Sequence, residues 1–111
     1  MDIREVDQDG VLILEPSGNI DSTNAKQFAA QIIGAIQARQ CGVVIDFQKI
    51  RYVSSAGFRS LLIIGKSMED SNRKLILCGM AAEVRRVFDF ARFDEVFVIC
   101  SSREDGTAQA R

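Results

Sequence analysis

The sequence contains no histidine. Histidine is the usual general base of Ser-His-Asp and Cys-His sites and the commonest metal ligand, so its absence argues against most hydrolase mechanisms. The phosphate-binding patterns G-x-x-x-x-G-K-[ST] and G-x-G-x-x-G are absent as well. We therefore expect a protein that is not an enzyme, with no catalytic residues, no metal site and no cofactor.

Cysteines and long apolar runs are also scarce. The three cysteines are widely spaced and form no C-x-x-C pair, which argues against a disulfide framework or a zinc site and favours a reducing compartment. The longest apolar runs, such as "LLII", are far shorter than a membrane span, and the first ten residues are too charged for a secretory signal. We expect a cytoplasmic protein without membrane association.

Neither sign of charge predominates. Fourteen lysines and arginines nearly balance 15 aspartates and glutamates, and the formal net charge is −1. A chain without a strong positive field has no general means of attracting nucleic acid, so we expect none among its partners. What is present is the composition of a globular protein: 47% hydrophobic and 26% charged residues in 111, a length that fits one domain.

The first forty residues predict a hairpin followed by a helix. Residues 3–7 alternate apolar and polar side chains, and Asp9-Gly10 predicts a tight turn into the apolar run "VLILEPS". Pro16 lacks an amide hydrogen and predicts the end or edge of this second strand. From Ala25 onwards, apolar residues recur every three or four positions, which predicts an amphipathic helix.

The rest of the chain alternates strands and helices. Short apolar runs predict buried strands at 43–47, 74–79 and 95–99, and helical spacing predicts helices over 56–70 and around 84–91. The predicted order is β-β-α-β-α-β-α-β. It is typical of a single α/β domain in which helices pack against a mixed sheet that begins with an antiparallel hairpin.

The C-terminal segment lacks this periodicity. Residues 100–111 are polar and aperiodic, so we predict that they form a disordered tail and that the domain itself comprises residues 1–99.

The stretch "VSSAG" (53–57) places two hydroxyls between a predicted strand and a predicted helix. The structural interpretation is that Ser54 or Ser55 caps the helix that begins near Ala56. The functional interpretation rests on position, because ligands of α/β sheets gather at the carboxyl ends of the strands. Gly57 carries no side chain that would obstruct the close approach of another molecule.

The segment "DFQKIRYVSSAGFRSLL" resembles the signature of the STAS family, named for sulfate transporters and anti-sigma factor antagonists: D-[LF]-S-x-[VI]-x-x-[MI]-D-S-[ST]-G-[LI]. "PSGNID" (16–21) is similar to the G-x-[LI]-D that precedes the family's first helix. The resemblance extends over residues 3–99. The positions that match the signature are Asp46, Phe47, Ile50, Val53, Ser55 and Gly57.

The resemblance implies a function. In free-standing members of the family, the serine at the position of Ser55 is phosphorylated by an anti-sigma factor that is itself a serine kinase, and phosphorylation weakens their complex. A metal-dependent serine phosphatase reverses the step, and the unmodified protein captures the kinase so that the kinase's other partner, often a sigma factor, is released. We therefore expect an anti-sigma factor antagonist with Ser55 as phosphoacceptor and Ser54 as second choice.

The sequence departs from the signature at four positions: Gln48, Ser54, Ala56 and Phe58. Ser54 replaces an aspartate, which favours an alternative: a STAS adaptor that is never phosphorylated and is held on a larger assembly, such as the ATPase of a lipid transporter.

The predicted partner-binding surface comprises six residues near the serine pair. Ile63 is either its apolar anchor or a residue buried against another helix, because the predicted helix has more apolar residues than one face needs. The predicted surface consists of Asp21, Asn24, Ser54, Gly57, Arg59 and Ile63.

Overall fold

The chain begins with the predicted hairpin. In the computed structural model, which describes residues 1–111, β1 (Ile3–Gln8) pairs antiparallel with β2 (Val11–Ile20). Asp9 and Gly10 have φ angles of 52° and 79°, and two consecutive positive φ angles are what a tight turn between antiparallel strands requires. The predicted turn is confirmed.

The second strand does not end at Pro16, and in this respect the sequence-based prediction was wrong. Up to Leu14, β2 pairs in parallel with β3 (Val43–Asp46), and from Ser17 it pairs in parallel with β4 (Lys49–Val53). Pro16 lies between these two stretches of pairing, where its missing amide hydrogen interrupts neither. The proline therefore marks a change of partner within one strand.

The sheet continues with two more parallel strands, β5 (Leu75–Cys78) and β6 (Val98–Cys100), in the order β1-β2-β3-β5-β6. The helices α1 (Ala25–Gln37), α2 (Ser55–Asp70) and α3 (Ala82–Phe90) pack against one face of the sheet. This mixed α/β domain confirms the predicted fold class. The sequence did not predict β4, and it also missed the fourth helix described below.

The last strand begins later than predicted. Residues 95–99 were expected to be extended, but Phe93–Glu95 form a short 3₁₀ helix and β6 starts only at Val98. The cause is aromatic packing, because Phe93 lies 4.7 Å from Phe58 and 5.7 Å from Phe97 between ring centroids. Turning these rings inward fills the core beside α3 and shortens the strand.

The prediction of a disordered tail was wrong. Residues Arg103–Ala110 form a helix, α4, whose start is capped by Ser102: its hydroxyl accepts a hydrogen bond of 3.1 Å from the amide of Asp105. This helix covers the second face of the sheet. Gly42 allows its close approach, because a β-carbon there would lie 2.1 Å from the carbonyl oxygen of Ala110. The apolar residues of this second, smaller core are Val11, Ile13, Val44, Ile76, Cys78, Cys100 and Ala110.

Arg103 ties α4 to the sheet through two buried carboxylates. Its guanidinium donates to Asp46 over 2.9 Å and also to Glu15. Lys49 lies 3.1 Å from the other oxygen of Glu15. Burial alone would raise the pKa of Glu15, but Lys49 and Arg103 outweigh it and hold that pKa below its ordinary value.

No helix has the length and apolar character that crossing a bilayer requires.

Replacing Arg103 by methionine is expected to lower the free energy of unfolding by about 3 kcal/mol at pH 7, because two buried carboxylates lose their shared cation. The depressed pKa of Glu15 stabilises the wild type above the unfolded value of 4.5, and this contribution is lost as the pH falls through the folded value. The variant lacks much of that contribution, so the difference in unfolding free energy between wild type and variant should be smaller at pH 4 than at pH 7. Urea denaturation of both proteins at pH 7 and pH 4 measures this difference.

The matched control is Arg92→Met, which removes an exposed pair with Glu95 and should change stability by less than about 0.5 kcal/mol. Equal effects of the two replacements would show that the Arg103 contacts do not anchor α4.

Candidate functional site

The start of α2 lies beside the end of β2. The parallel pairing of β2 with β4 ends at Ile20 and Val53, and the amide of Ser54 then donates to the carbonyl oxygen of Ile20 over 2.8 Å. The loop that follows β2 and the helix that follows β4 therefore leave the sheet at the same edge. This edge holds the carboxyl ends of the parallel strands, as the sequence predicted for the serine pair.

The two serines have different surroundings. Ser54 is half-buried at the N-cap of α2, where its hydroxyl oxygen accepts from the amide of Gly57 over 3.3 Å. Ser55 is the first residue of the helix and is exposed. Of the two hydroxyls, one completes the helix start while the other is left to the solvent.

The loop between β2 and α1 uses the polar groups of two predicted contact residues. The carboxylate of Asp21 accepts hydrogen bonds from the amide and hydroxyl of Thr23, and these lower the pKa of Asp21. The side chain of Asn24 accepts from the amide of Asp21 over 2.9 Å and donates to the carbonyl of Asn19 over 2.8 Å. Both side chains therefore shape this loop, and their contact with a partner stays a prediction.

Gly57 has a different role from the one predicted. It is buried, and a β-carbon there would lie 2.7 Å from a methyl group of Val53 and 2.8 Å from the carbonyl oxygen of Ile20. A buried residue presents no surface to a partner. The glycine instead lets the first turn of α2 approach the sheet, and it acts on the site by positioning Ser55.

A groove of about 350 Å³ lies between α1 and α2, on the side of their N-terminal ends. Two of the predicted contact residues, Arg59 and Ile63, line it. Ile63 is 56% exposed, so the alternative that it is buried against another helix is wrong. The groove is also lined by Ser22, Thr23, Ala25, Lys26, Ala29, Ala56 and Ser60.

Sequence reasoning missed the residues that α1 contributes to this groove. The helical pattern places Lys26 on the polar face of α1, but polarity alone does not distinguish a groove from open solvent. The missing information is that α1 and α2 lie side by side with their starts at the same edge. Only the pairing of β2 with β4 provides it.

A second, smaller cleft lies on the other flank of the serine pair. Tyr52, Val87 and Phe58 line it, and the first two are exposed apolar residues on β4 and α3. The structure brings no three His, Cys, Asp or Glu side chains together as metal ligands. What this edge offers chemically is a free hydroxyl between two partly apolar surfaces.

The sheet order, together with the signature residues that run from Asp46 to Gly57 at the start of the second helix, defines the STAS class of domain. The family model described as "STAS domain" matches residues 2–106, and the chain belongs to this family.

Relatives and solved structures agree with this assignment. The chain is 34% identical over 100 residues to BtrV of Bordetella bronchiseptica, provisionally named an anti-sigma factor antagonist; the match covers 90% of this chain and 86% of BtrV. An anti-sigma factor antagonist from Mycobacterium paratuberculosis superimposes with a TM-score of 0.85 at 22% identity, covering 99% and 93% of the two chains. Phosphorylated SpoIIAA of Bacillus gives 0.70 at 18% identity, covering 99% and 100%.

Gly57→Ala should destabilise the domain by about 1–3 kcal/mol, because the added methyl group meets backbone and side-chain atoms that cannot both yield. Gly34→Ala is the matched control: this exposed glycine in α1 has open space around its β-carbon position, and alanine should stabilise the helix by about 0.5–1 kcal/mol. Thermal unfolding should show a lower melting temperature for Gly57→Ala and a higher one for Gly34→Ala than for wild type. A Gly57→Ala protein as stable as wild type would contradict the close packing of Gly57 against Val53 and Ile20.

Proposed function

We propose that the chain is an anti-sigma factor antagonist of a partner-switching pathway. In this proposal the unphosphorylated form binds a serine-kinase anti-sigma factor, and phosphorylation of Ser55 releases it. The observation that carries the proposal is the exposed hydroxyl of Ser55 at the start of α2, beside a groove with an exposed Ile63. The similarity to BtrV and the phosphorylated form of the structural neighbour SpoIIAA support it.

The position of Ser55 allows a phosphate without loss of the fold. Phosphorylation adds about −1.5 to −2 charges, and an anion at the start of a helix is favoured by the helix dipole and by amides without partners. Because Ser55 is exposed, the phosphate displaces no packed side chain. The modified domain should therefore remain folded.

The same phosphate is unfavourable inside a complex. Two like unit charges about 4 Å apart repel by about 4 kcal/mol at an effective dielectric constant near 20. A penalty of this size corresponds to about a thousandfold loss of affinity. Modification can thus abolish a complex while the domain stays intact, which is what a reversible switch requires.

The division between the serines favours Ser55 over Ser54 as the acceptor. The hydroxyl oxygen of Ser54 already binds the amide of Gly57, and the residue is half-buried. A kinase acting on Ser54 would first have to free it from this cap, whereas Ser55 is accessible without rearrangement.

The proposal has three further parts. A metal-dependent serine phosphatase removes the phosphate, and the chain itself is a cytoplasmic binding protein rather than an enzyme. Neither nucleic acid nor a membrane is among its direct partners.

A second candidate is an adaptor that is never phosphorylated and stays bound to a larger assembly, such as a lipid transporter's ATPase. The observation in its favour is Ser54, which stands where the family signature has an aspartate. The two candidates differ in whether the chain is modified in its own cell.

Phosphopeptide mapping of the protein purified from its source organism should find one phosphate, located on Ser55. The exposure of this hydroxyl is the physical reason. Intact-mass measurement before and after treatment with a metal-dependent phosphatase gives the number of phosphates on each molecule. An unmodified protein under all growth conditions would favour the adaptor.

Ser55→Glu should weaken capture of the serine kinase at least tenfold relative to wild type, because a carboxylate brings negative charge into the interface. Its melting temperature should stay near the wild-type value, since the residue is exposed. Ser101→Glu adds the same charge at an exposed position outside the groove and serves as control. Equal kinase capture by both variants would count against Ser55 as the switch.

A further inference from the structure

The groove between α1 and α2 differs in charge from every other cleft of the surface. Lys26 and Arg59 line it, and no carboxylate does. Each of the four other clefts carries at least one aspartate or glutamate. A locally basic groove on a chain whose net charge is −1 indicates a preference for an anionic group.

These two cations have no partner within the chain. Lys26 and Arg59 take part in none of the seven ion pairs of the structure. Asp21, the acid nearest to Lys26 along the chain, pairs with neither cation, and one oxygen of its carboxylate accepts hydrogen bonds from Thr23. Both positive charges are therefore available to a group from outside.

Ser55 and Arg59 lie on one face of α2. They are four residues apart in the same helix, a spacing that places side chains about one turn apart on neighbouring surface positions. A phosphate on Ser55 extends the serine by three acceptor oxygens, and arginine binds such groups with two parallel hydrogen bonds.

We propose that Arg59, with Lys26 across the groove, binds the phosphate of phosphoserine 55 within the same chain. This proposal rests on the function proposed above and specifies how the modification acts. The two cations contribute a charge of +2, and a phosphate of about −1.5 to −2 nearly cancels it. Phosphorylation thus removes a basic docking surface as well as adding a bulky anion.

The proposal also defines the chemistry of the partner. A surface that combines two free cations with an exposed Ile63 fits an acidic surface with an apolar centre. The partner's carboxylates and the phosphate then compete for the same two cations. Binding of the kinase should accordingly weaken as the salt concentration rises.

The test uses the full chain with phosphoserine incorporated genetically at position 55, so that it needs no kinase. A ³¹P NMR titration measures the second pKa of the phosphate in the parent, Arg59→Gln and Lys26→Gln proteins. Loss of either cation should raise this pKa, by roughly 0.3 pH units for Arg59→Gln. Lys66→Gln, a charge removal at the far end of α2, is the matched control and should leave it unchanged.

Equal phosphate pKa values in all four proteins would overturn the proposal. A kinase that binds unmodified wild type and Arg59→Gln equally well at every salt concentration would also overturn it, although the switching function would stand if Ser55→Glu still abolished binding. If no kinase binds but the phosphate pKa rises in Arg59→Gln and Lys26→Gln alone, the pairing is supported and the switching function fails.

Discussion

The site depends on one constraint, which is that β2 pairs with two different parallel strands along its length. It pairs with β3 up to Leu14 and with β4 from Ser17 onwards. This second pairing ends in the hydrogen bond from the Ser54 amide to the Ile20 carbonyl oxygen, which joins the start of α2 to the loop before α1. Without it, the start of α2, which carries Ser55 and Arg59, would not lie beside the start of α1, which carries Lys26.

The structural and the functional interpretations of the serine pair are compatible with each other. Ser54 caps the helix through the Gly57 amide, and this bond fixes where the helix begins. Because the cap is already provided, Ser55 needs no hydrogen bond within the fold and remains exposed. Of the two adjacent serines, one therefore stabilises the helix and the other remains accessible. The buried Gly57 keeps both close to the sheet.

The features that could be predicted are those encoded by local pattern. The Asp9-Gly10 turn, the apolar stripe of α1 and the strands β3 and β5 follow from residue chemistry a few positions apart. Helix α4 was missed because its buried positions are small or polar, Gly106 and Thr107, and its anchor Arg103 binds carboxylates far away in sequence. The one local signal was Ser102 three residues before Asp105, a capping pattern.

The position of α4 across the second face of the sheet also determines where residues 110 and 111 lie. Lys74, just before β5, donates to the carbonyl oxygen of Arg111 over 3.1 Å, and Ala110 lies against Gly42, just before β3. Both contacts belong to the edge where the parallel strands start, whereas Ser55 stands where they finish. A surface tether attached at residue 111 would therefore bind the molecule at this edge and leave the opposite edge, which carries Ser55, open to approaching proteins.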